Sequence, residues 1–271
     1  MNDVKNEEIK NIFFDLSKKY ILPKFNNLKH NDVKYKNNKD IVTSVDLEVE
    51  ENLNKILSKI IPNSLFIGEE LYNKKPEILK FYSQNQYCWT VDPIDGTNNF
   101  VKGKDNFAIM LALTFKEKIL QSWIFKPLNS EFSYAINGGG TYINGKKFII
   151  KKNTSLLNCI GSISSKYWED DFKECIINLK KKFQNINSYG CIGLEYIDII
   201  KSLRDFTILS KLSPWDHLPG ILMINESGGS VSHFDNEKYN YIEGKNNLIV
   251  ANSLKLKNEI INLIKECKYE Y

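Results

Sequence analysis

The stretch Tyr87-Cys88-Trp89-Thr90-Val91-Asp92-Pro93-Ile94-Asp95-Gly96-Thr97 decides how the chain is read. Its first half is an uncharged, β-prone run of the buried-strand type, and it delivers Asp92 at its end. Pro93 fixes one backbone angle and stiffens the turn, so both acids and an intervening carbonyl can face one point. Gly96 permits close backbone approach. Thr97 can open a short helix, whose first amides are unpaired donors suited to phosphate oxygens. Metal ligands beside a phosphate cradle are the parts of a two-metal phosphoryl-transfer site. An isolated Asp-Gly pair is an ordinary turn, so the reading depends on what surrounds it.

Upstream, Leu65-Phe66-Ile67-Gly68 is a short strand that delivers Glu69 and Glu70. Before it, Asp40 to Asp46 forms a β-like run leading into a helix through Val49, Leu53, Ile56, Leu57 and Ile60, closed by Pro62. Asn26 to Asp40 is polar, rich in Asn and Lys, and reads as a loop. The first helix carries Ile9, Ile12, Phe13, Leu16 and Tyr20 on one face and ends at Pro23.

Downstream, Phe107 to Phe115 and Ile119 to Phe125 form a hairpin around Lys116-Glu117-Lys118. Phe132 to Ile136 and Thr141 to Ile143 extend that sheet around Gly138-Gly139-Gly140. From about Leu157 the pattern changes. Apolar runs at Cys159 to Ile163, Phe206 to Leu209 and Leu248 to Ala251 alternate with helices near Phe172 to Phe183, Leu194 to Leu203, Leu218 to Glu226 and Leu254 to Cys267. The expected class is α/β. An α+β half over 1–150 carries most of the acids, and an α/β half over 151–271 packs against it with the site between.

The acids that matter lie at element ends: Asp46 and Asp216 at helix starts, Glu69-Glu70 and Asp92/Asp95 after strands. Such positions can converge at one end of a sheet, where loops carry function. Gathered carboxylates repel unless cations intervene, and an all-oxygen set suits Mg²⁺ or Mn²⁺ rather than Zn²⁺. Taken singly, Asp46 and Asp216 read as N-caps. The spacing of Asp92 and Asp95 does not fit an EF-hand.

Composition sets the outer bounds. With 271 residues, 42% hydrophobic and 26% charged, the chain has ample material for a core and is not of the disordered type. A net charge of +4 spread over scattered lysines argues weakly for an anionic substrate and hardly at all for nucleic acid. The five cysteines include no C-x-x-C pair, so neither a zinc site nor a disulfide framework is expected, and buried free thiols are the simplest account. The N-terminus lacks the apolar core of a signal peptide and no stretch is long enough to span a membrane, so a cytoplasmic location is expected.

In order, these residues resemble the inositol monophosphatase superfamily of metal-dependent, lithium-sensitive phosphatases. Its signature D-P-x-D-G-T-x-x-F is present as Asp92 to Phe100, and G-E-E as Gly68-Glu69-Glu70. W-D before a helix ending in E-x-G-G is Trp215-Asp216 with Glu226-Ser227-Gly228-Gly229, and D-x-V-T-x-x-D is Asp40 to Asp46. The markers span residues 40 to 229 in the family's order.

The resemblance implies a layered αβαβα sandwich and a set of roles. Glu69, Asp92 and the carbonyl of Ile94 would hold a first Mg²⁺; Asp92, Asp95 and Asp216 a second. A third, weaker ion would use Glu69 and water near Asp46, and Mn²⁺ is a possible substitute. Thr97 with Asp46 would help deprotonate an attacking water, with Glu69 counted in the catalytic set. The backbone amides of Gly96 and Thr97, together with Asp95 and Asp216, would bind the phosphorylated substrate. Glu70 would support the site from behind, and Lys36 matches a basic position on an N-terminal loop that approaches it. His217 is read as structural.

Two departures bear on the substrate. Family members acting on inositol phosphate carry a Glu seven residues before the W-D aspartate, where this chain has Leu209. Ile192 follows Gly190-Cys191 in place of the usual Ala. A site lacking its polar partner for a sugar hydroxyl loses discrimination, so inositol 1-phosphate is not the favoured substrate. The pattern around Glu195 and Lys211 resembles a bacterial inositol-monophosphatase-like subgroup, and both are candidate substrate contacts. Histidinol phosphate, fructose 1,6-bisphosphate and a nucleoside 3′,5′-bisphosphate remain open. So does a role as a binding module in an RNA-related protein complex, although six retained site residues argue for catalysis. A homodimer is the expectation from relatives.

Overall fold

The computed structural model describes residues 4–36, 41–152, 156–183, 185–242 and 244–267. Helix α1 (Asn6–Leu16) buries Ile9, Phe13 and Leu16. It runs into one wider turn at Ser17–Ile21, closed by the Leu22 N–H on the Ser17 carbonyl at 2.9 Å, and stops at Pro23. Part of the segment expected as a loop from Asn26 is a strand. Strand β1 (Val33–Tyr35) pairs antiparallel with β2 (Ile41–Thr43), Val33 opposite Thr43 and Tyr35 opposite Ile41. Three-residue strands lean on their partner, so local composition hid this one. Asp40, part of the upstream motif, lies outside the described residues.

Helix α2 (Ser44–Ile60) starts from a capping box between Thr43 and Asp46 and buries Val45, Val49, Leu53 and Leu57 along one stripe. Each such burial stabilises by about 1.5–3 kcal/mol. Strand β3 (Leu65–Gly68), helix α3 (Glu69–Lys74), strand β4 (Tyr87–Asp95) and short helix α4 (Thr97–Val101) follow. A meander then runs through β5 (Ala108–Phe115), β6 (Lys118–Lys126), β7 (Glu131–Ile136), β8 (Gly140–Ile143) and β9 (Lys146–Phe148). Together β3 to β9 form a seven-stranded sheet in sequence order, parallel between β3 and β4 and antiparallel beyond.

The second sheet has five strands: β10 (Ile160–Ile163), β11 (Asn185–Ile186), β12 (Phe206–Leu209), β13 (Ser230–Ser232) and β14 (Leu248–Ala251), in the order β11-β10-β12-β14-β13. Four longer helices accompany it, α5 (Lys173–Lys180), α6 (Ile192–Ile200), α7 (Pro214–Glu226) and α8 (Leu254–Glu266).

Strand alternation sorts these elements into layers. On β5, Ile109, Leu111 and Leu113 face α1 and α2, while Ala108 and Met110 face α6 and α7. On β14, Leu248 and Val250 face that same middle helical layer, whereas Ile249 and Ala251 face α5 and α8. The result is an αβαβα sandwich with α6 and α7 shared by both sheets. Glu226, at the end of α7, accepts the amides of Gly138 and Gly140 at 2.7 and 2.9 Å and so ties the glycine turn of the larger sheet to the middle layer.

One expectation fails. Cys175 and Cys267 form a disulfide, with Cα atoms 5.6 Å apart, while Cys88, Cys159 and Cys191 are buried thiols outside any disulfide. The pair is 92 residues apart in sequence and meets because α5 and the end of α8 lie side by side on the outer face of the smaller sheet. Spacing rules built on nearby cysteines cannot see such a pair. Among the described residues, no helix is long and apolar enough to cross a membrane.

Candidate functional site

Strand β4 enters the site through a bulge. Asp92 pairs with Met110 and Asp95 with Ala108, so Pro93 and Ile94 together stand opposite one residue. Pro93 has no N–H for the ladder, and the Ile94 N–H turns back to Asp92 Oδ1 at 2.9 Å. The extra residue resets the alternation. Both acids therefore share the face of Met110 and Ala108, towards α6 and α7. Gly96 then takes a left-handed conformation at φ 90°, and a Cβ there would lie 2.7 Å from the Asn106 carbonyl oxygen. Its own carbonyl accepts the Asn99 and Phe100 amides and starts α4 at Thr97.

Asp46 is fully buried, its Oδ2 accepting the Thr43 N–H at 2.8 Å and the Thr43 hydroxyl. That leaves Oδ1 to accept from the Thr97 hydroxyl at 3.2 Å, and the same hydroxyl lies 2.9 Å from the Ile94 carbonyl. Glu69 and Glu70 open α3. The Lys36 ammonium bridges them, 2.8 Å from Glu69 Oε1 and 2.5 Å from Glu70 Oε1. Asp216 enters from the first turn of α7.

Carboxylate oxygens of Glu69, Asp92 and Asp216 lie within 4.8 Å of one another. Asp95 stands beside them with Oδ2 held by the Gly193 amide at 2.6 Å and the Cys191 thiol at 3.1 Å. Crowding has the expected electrostatic result. Burial, then the charges of Glu69, Asp95 and Asp216, push Asp92 well above the usual carboxylate range. Burial and the Asp216 charge raise Asp95 to about 7. Asp216 and Asp46 rise to about 6, in both cases mainly through burial. Glu69 is raised by burial, against the pull of Lys36. Burial would lower Lys36, but the Glu69 and Glu70 charges outweigh it and hold its pKa above the ordinary lysine value.

These groups fit a hard divalent cation. All the donors are oxygens, the anionic charge is buried with Lys36 against one side, and three oxygens already converge without any sulfur or imidazole among them. Cys191, the one nearby thiol, has a pKa pushed well up by burial and by Asp95, and it serves as a donor to that acid.

A cavity of about 320 Å³ opens beside the cluster, walled by Asp95 and Asp216 at one end and by Ser162, Glu195, Leu209 and Lys211 further out. Glu195 is buried, with its oxygens taken by the Ser162 hydroxyl, the Ser188 hydroxyl at 2.8 Å and the Tyr189 amide at 2.8 Å. It braces the cavity wall. Lys211 is exposed at the rim, its ammonium 5.2 Å from the centre of the Tyr167 ring. Leu209 and Ile192 also line the cavity. His217 is buried, with Nε2 2.8 Å from the Lys211 carbonyl and Nδ1 3.0 Å from the Tyr196 hydroxyl. A carbonyl only accepts, so Nε2 carries the proton and Nδ1 accepts. Burial pushes this ring down to about 4, so it is a neutral strut.

The sequence reading overlooked two sets of neighbours. Cys191 and Gly193 grip Asp95 from α6, and nothing in their spacing signals that contact. Glu50 lies beneath the Glu69-Glu70 corner and accepts two of its amides. A signal for it existed: an acid four residues after Asp46, on the stripe of Val45, Val49 and Leu53.

A family model described as the inositol monophosphatase family matches residues 5–269. The chain is 30% identical over 228 residues, 84% of each protein, to a fructose-1,6-bisphosphatase/inositol-1-monophosphatase of Thermotoga maritima. It is 28% identical over 210 residues, 76% of this chain and 77% of the relative, to an inositol-1-monophosphatase of Bacillus subtilis. Among solved structures, a Thermotoga maritima IMPase superposes with a TM-score of 0.82 at 25% identity, covering 97% of both chains.

Proposed function

The chain belongs to the inositol monophosphatase family, whose members are phosphoric monoester hydrolases, and we propose that it hydrolyses a small phosphorylated metabolite with Mg²⁺ as the working cation. Glu69, Asp92 and the Ile94 carbonyl would hold one ion, and Asp92, Asp95 and Asp216 another. When bound, these cations would neutralise phosphate charge and acidify water.

The protein's own groups have distinct tasks in this reading. Asp46 Oδ1 accepts the Thr97 hydroxyl proton and turns an oxygen lone pair of Thr97 towards the attacking water. As the water oxygen attacks phosphorus its proton passes to Thr97 and the Thr97 proton to Asp46 Oδ1, while the P–O bond to the leaving group breaks and the leaving oxygen takes a proton from solvent water. The Gly96 and Thr97 amides hold phosphate oxygens at the start of α4. Attack is direct and in line, without a phosphoenzyme. The leaving group sits in the cavity walled by Glu195, Leu209 and Lys211. Because Leu209 offers no acceptor to a ring hydroxyl, inositol 1-phosphate is a poorer candidate than a substrate with a second anionic group near Lys211.

The observation that carries this reading is the convergence of Glu69, Asp92 and Asp216 at the mouth of a cavity large enough for a sugar-sized leaving group. The test is phosphate release with and without Mg²⁺. Histidinol phosphate, inositol 1-phosphate, fructose 1,6-bisphosphate and adenosine 3′,5′-bisphosphate are compared for wild type and Asp92→Asn. Activity that needs Mg²⁺ and falls by about 10³-fold in the variant supports it. No activity on any ester, or equal activity in the variant, sinks it.

A further inference from the structure

We propose that Glu50 is a positioning residue that sets the direction of Glu69, an inference resting on the metal-dependent reading above. Helix α2 places Asp46 and Glu50 one turn apart on its buried stripe. Asp46 meets Thr97, and Glu50 meets the corner between β3 and α3. Both Glu50 oxygens are engaged there, Oε2 accepting the Glu70 amide and Oε1 the Leu71 amide, each at 2.8 Å. Amides in the first turn of a helix have no partner within it, so a side chain of α2 caps α3 from outside.

The same carboxylate presses on the residue before Glu69. A Cβ at Gly68 would come within 2.3 Å of Glu50 Cδ and Oε2, so only glycine lets the acid sit against the chain there. Glu69 is thus bracketed by Glu50 at the Gly68 Cα on one side and at the Glu70 amide on the other. Its backbone cannot turn without breaking one contact. Glu50 is only 6% exposed, and with both oxygens engaged it acts through the peptide chain and not as a ligand. Two acids on one face of α2 therefore register the hydroxyl at Thr97 against the carboxylate at Glu69.

Glu50→Gln keeps the size of the side chain and replaces one acceptor with a donor that faces an amide. Titrating the metal-free protein with Mg²⁺ in a calorimeter reads the consequence directly. The dissociation constant is expected to rise at least roughly tenfold, while kcat at saturating Mg²⁺ stays within about threefold of wild type. Leu57→Ala, which opens a cavity on the same helix, lowers Tm but leaves Mg²⁺ affinity unchanged. Equal Mg²⁺ affinity in Glu50→Gln and wild type overturns the proposal, as does an equal loss of affinity in Leu57→Ala. A kcat that stays low at saturating Mg²⁺ does so too. Should Glu50→Gln not fold, Gly68→Ala displaces the same contact and is judged by the same readouts. Wild type that binds no Mg²⁺ overturns the hydrolytic reading and this inference together, whereas failure in the variant alone leaves the former standing.

Discussion

The hydroxyl of Thr97 lies 3.2 Å from Asp46 Oδ1, joining the start of α4 to the start of α2 across 51 residues of sequence. Asp46 is fixed in this pose because its other oxygen is occupied by Thr43. Thr97→Val removes the hydroxyl and keeps the shape. It should lower kcat by about 10²- to 10³-fold with little change in KM, while Thr97→Ser retains most activity. Steady-state kinetics on the best ester of the panel decides this, and a Thr97→Val enzyme of normal kcat would rule out the role.

Buried carboxylates make the metal-free protein sensitive to pH in an unusual sense. Burial pushes Asp46 and Asp216 up to about 6, Asp95 and Glu50 up to about 7, and Glu70 up to about 8. An unfolded carboxyl titrates near about 4. Between those values the folded state binds more protons than the unfolded one, so stability falls as pH rises through the window. Metal-free Tm should therefore be lower at about pH 8 than at about pH 5.5, by several degrees. Mg²⁺ should raise Tm more at the higher pH, because fewer protons compete with it. Thermal melts at both pH values, with and without EDTA, check the sign.

Reducing the Cys175–Cys267 bridge should destabilise the outer helical layer. Closing a loop of this length contributes about 2–4 kcal/mol in typical cases. Cys175→Ser should lower the denaturant midpoint to that of the reduced wild type, and added dithiothreitol should then change nothing further. Hydrolysis should be unaffected at temperatures where the fold persists, since α5 and α8 lie beyond the smaller sheet from the cavity.

Lys211 stands at the cavity rim, and its positive charge draws the pKa of Glu69 and Asp216 downward, against the larger effect of burial. Lys211→Met should raise KM for a bisphosphate by roughly fivefold and less so in high salt, with kcat little altered. The KM ratio of a bisphosphate to a monophosphate, wild type against variant, separates substrate contact from general electrostatics.

Much of this arrangement was legible in the sequence, for physical reasons that differ by element. β4 announces itself because a strand covered on both faces must be apolar throughout, and α2 because its stripe repeats every three or four residues. Asp46, Glu69 and Asp216 stand in the first turns of helices, where a carboxylate carries information, while Asp92, expected at the end of its strand, lies inside β4 at the bulge. β1 escaped because its stability resides in its partner. The disulfide escaped because helix packing, not spacing, brings its halves together. Glu195 looked like a reader of substrate from its place near the motif. Its oxygens turn out to be spent on Ser162, Ser188 and Tyr189, which only the folded register of β10 and α6 reveals.

The shared middle layer has a consequence for how such an enzyme can diversify. Asp92 belongs to β4 of the larger sheet and Asp46, Glu69 and Thr97 to α2, α3 and α4 beside it, whereas Ser162, Glu195, Leu209 and Lys211 come from β10, α6, the end of β12 and the turn after it. Asp216 alone among the carboxylate trio crosses over from the second group. On the reading proposed above, most of the groups that would hydrolyse, Asp216 apart, and those that would face the leaving group come from separate pieces of chain. Exchanging the cavity-facing residues within 159–212 for those of a relative, with Cys191 and Gly193 kept against Asp95, should retune what is cleaved while the proposed metal ligands stay in place.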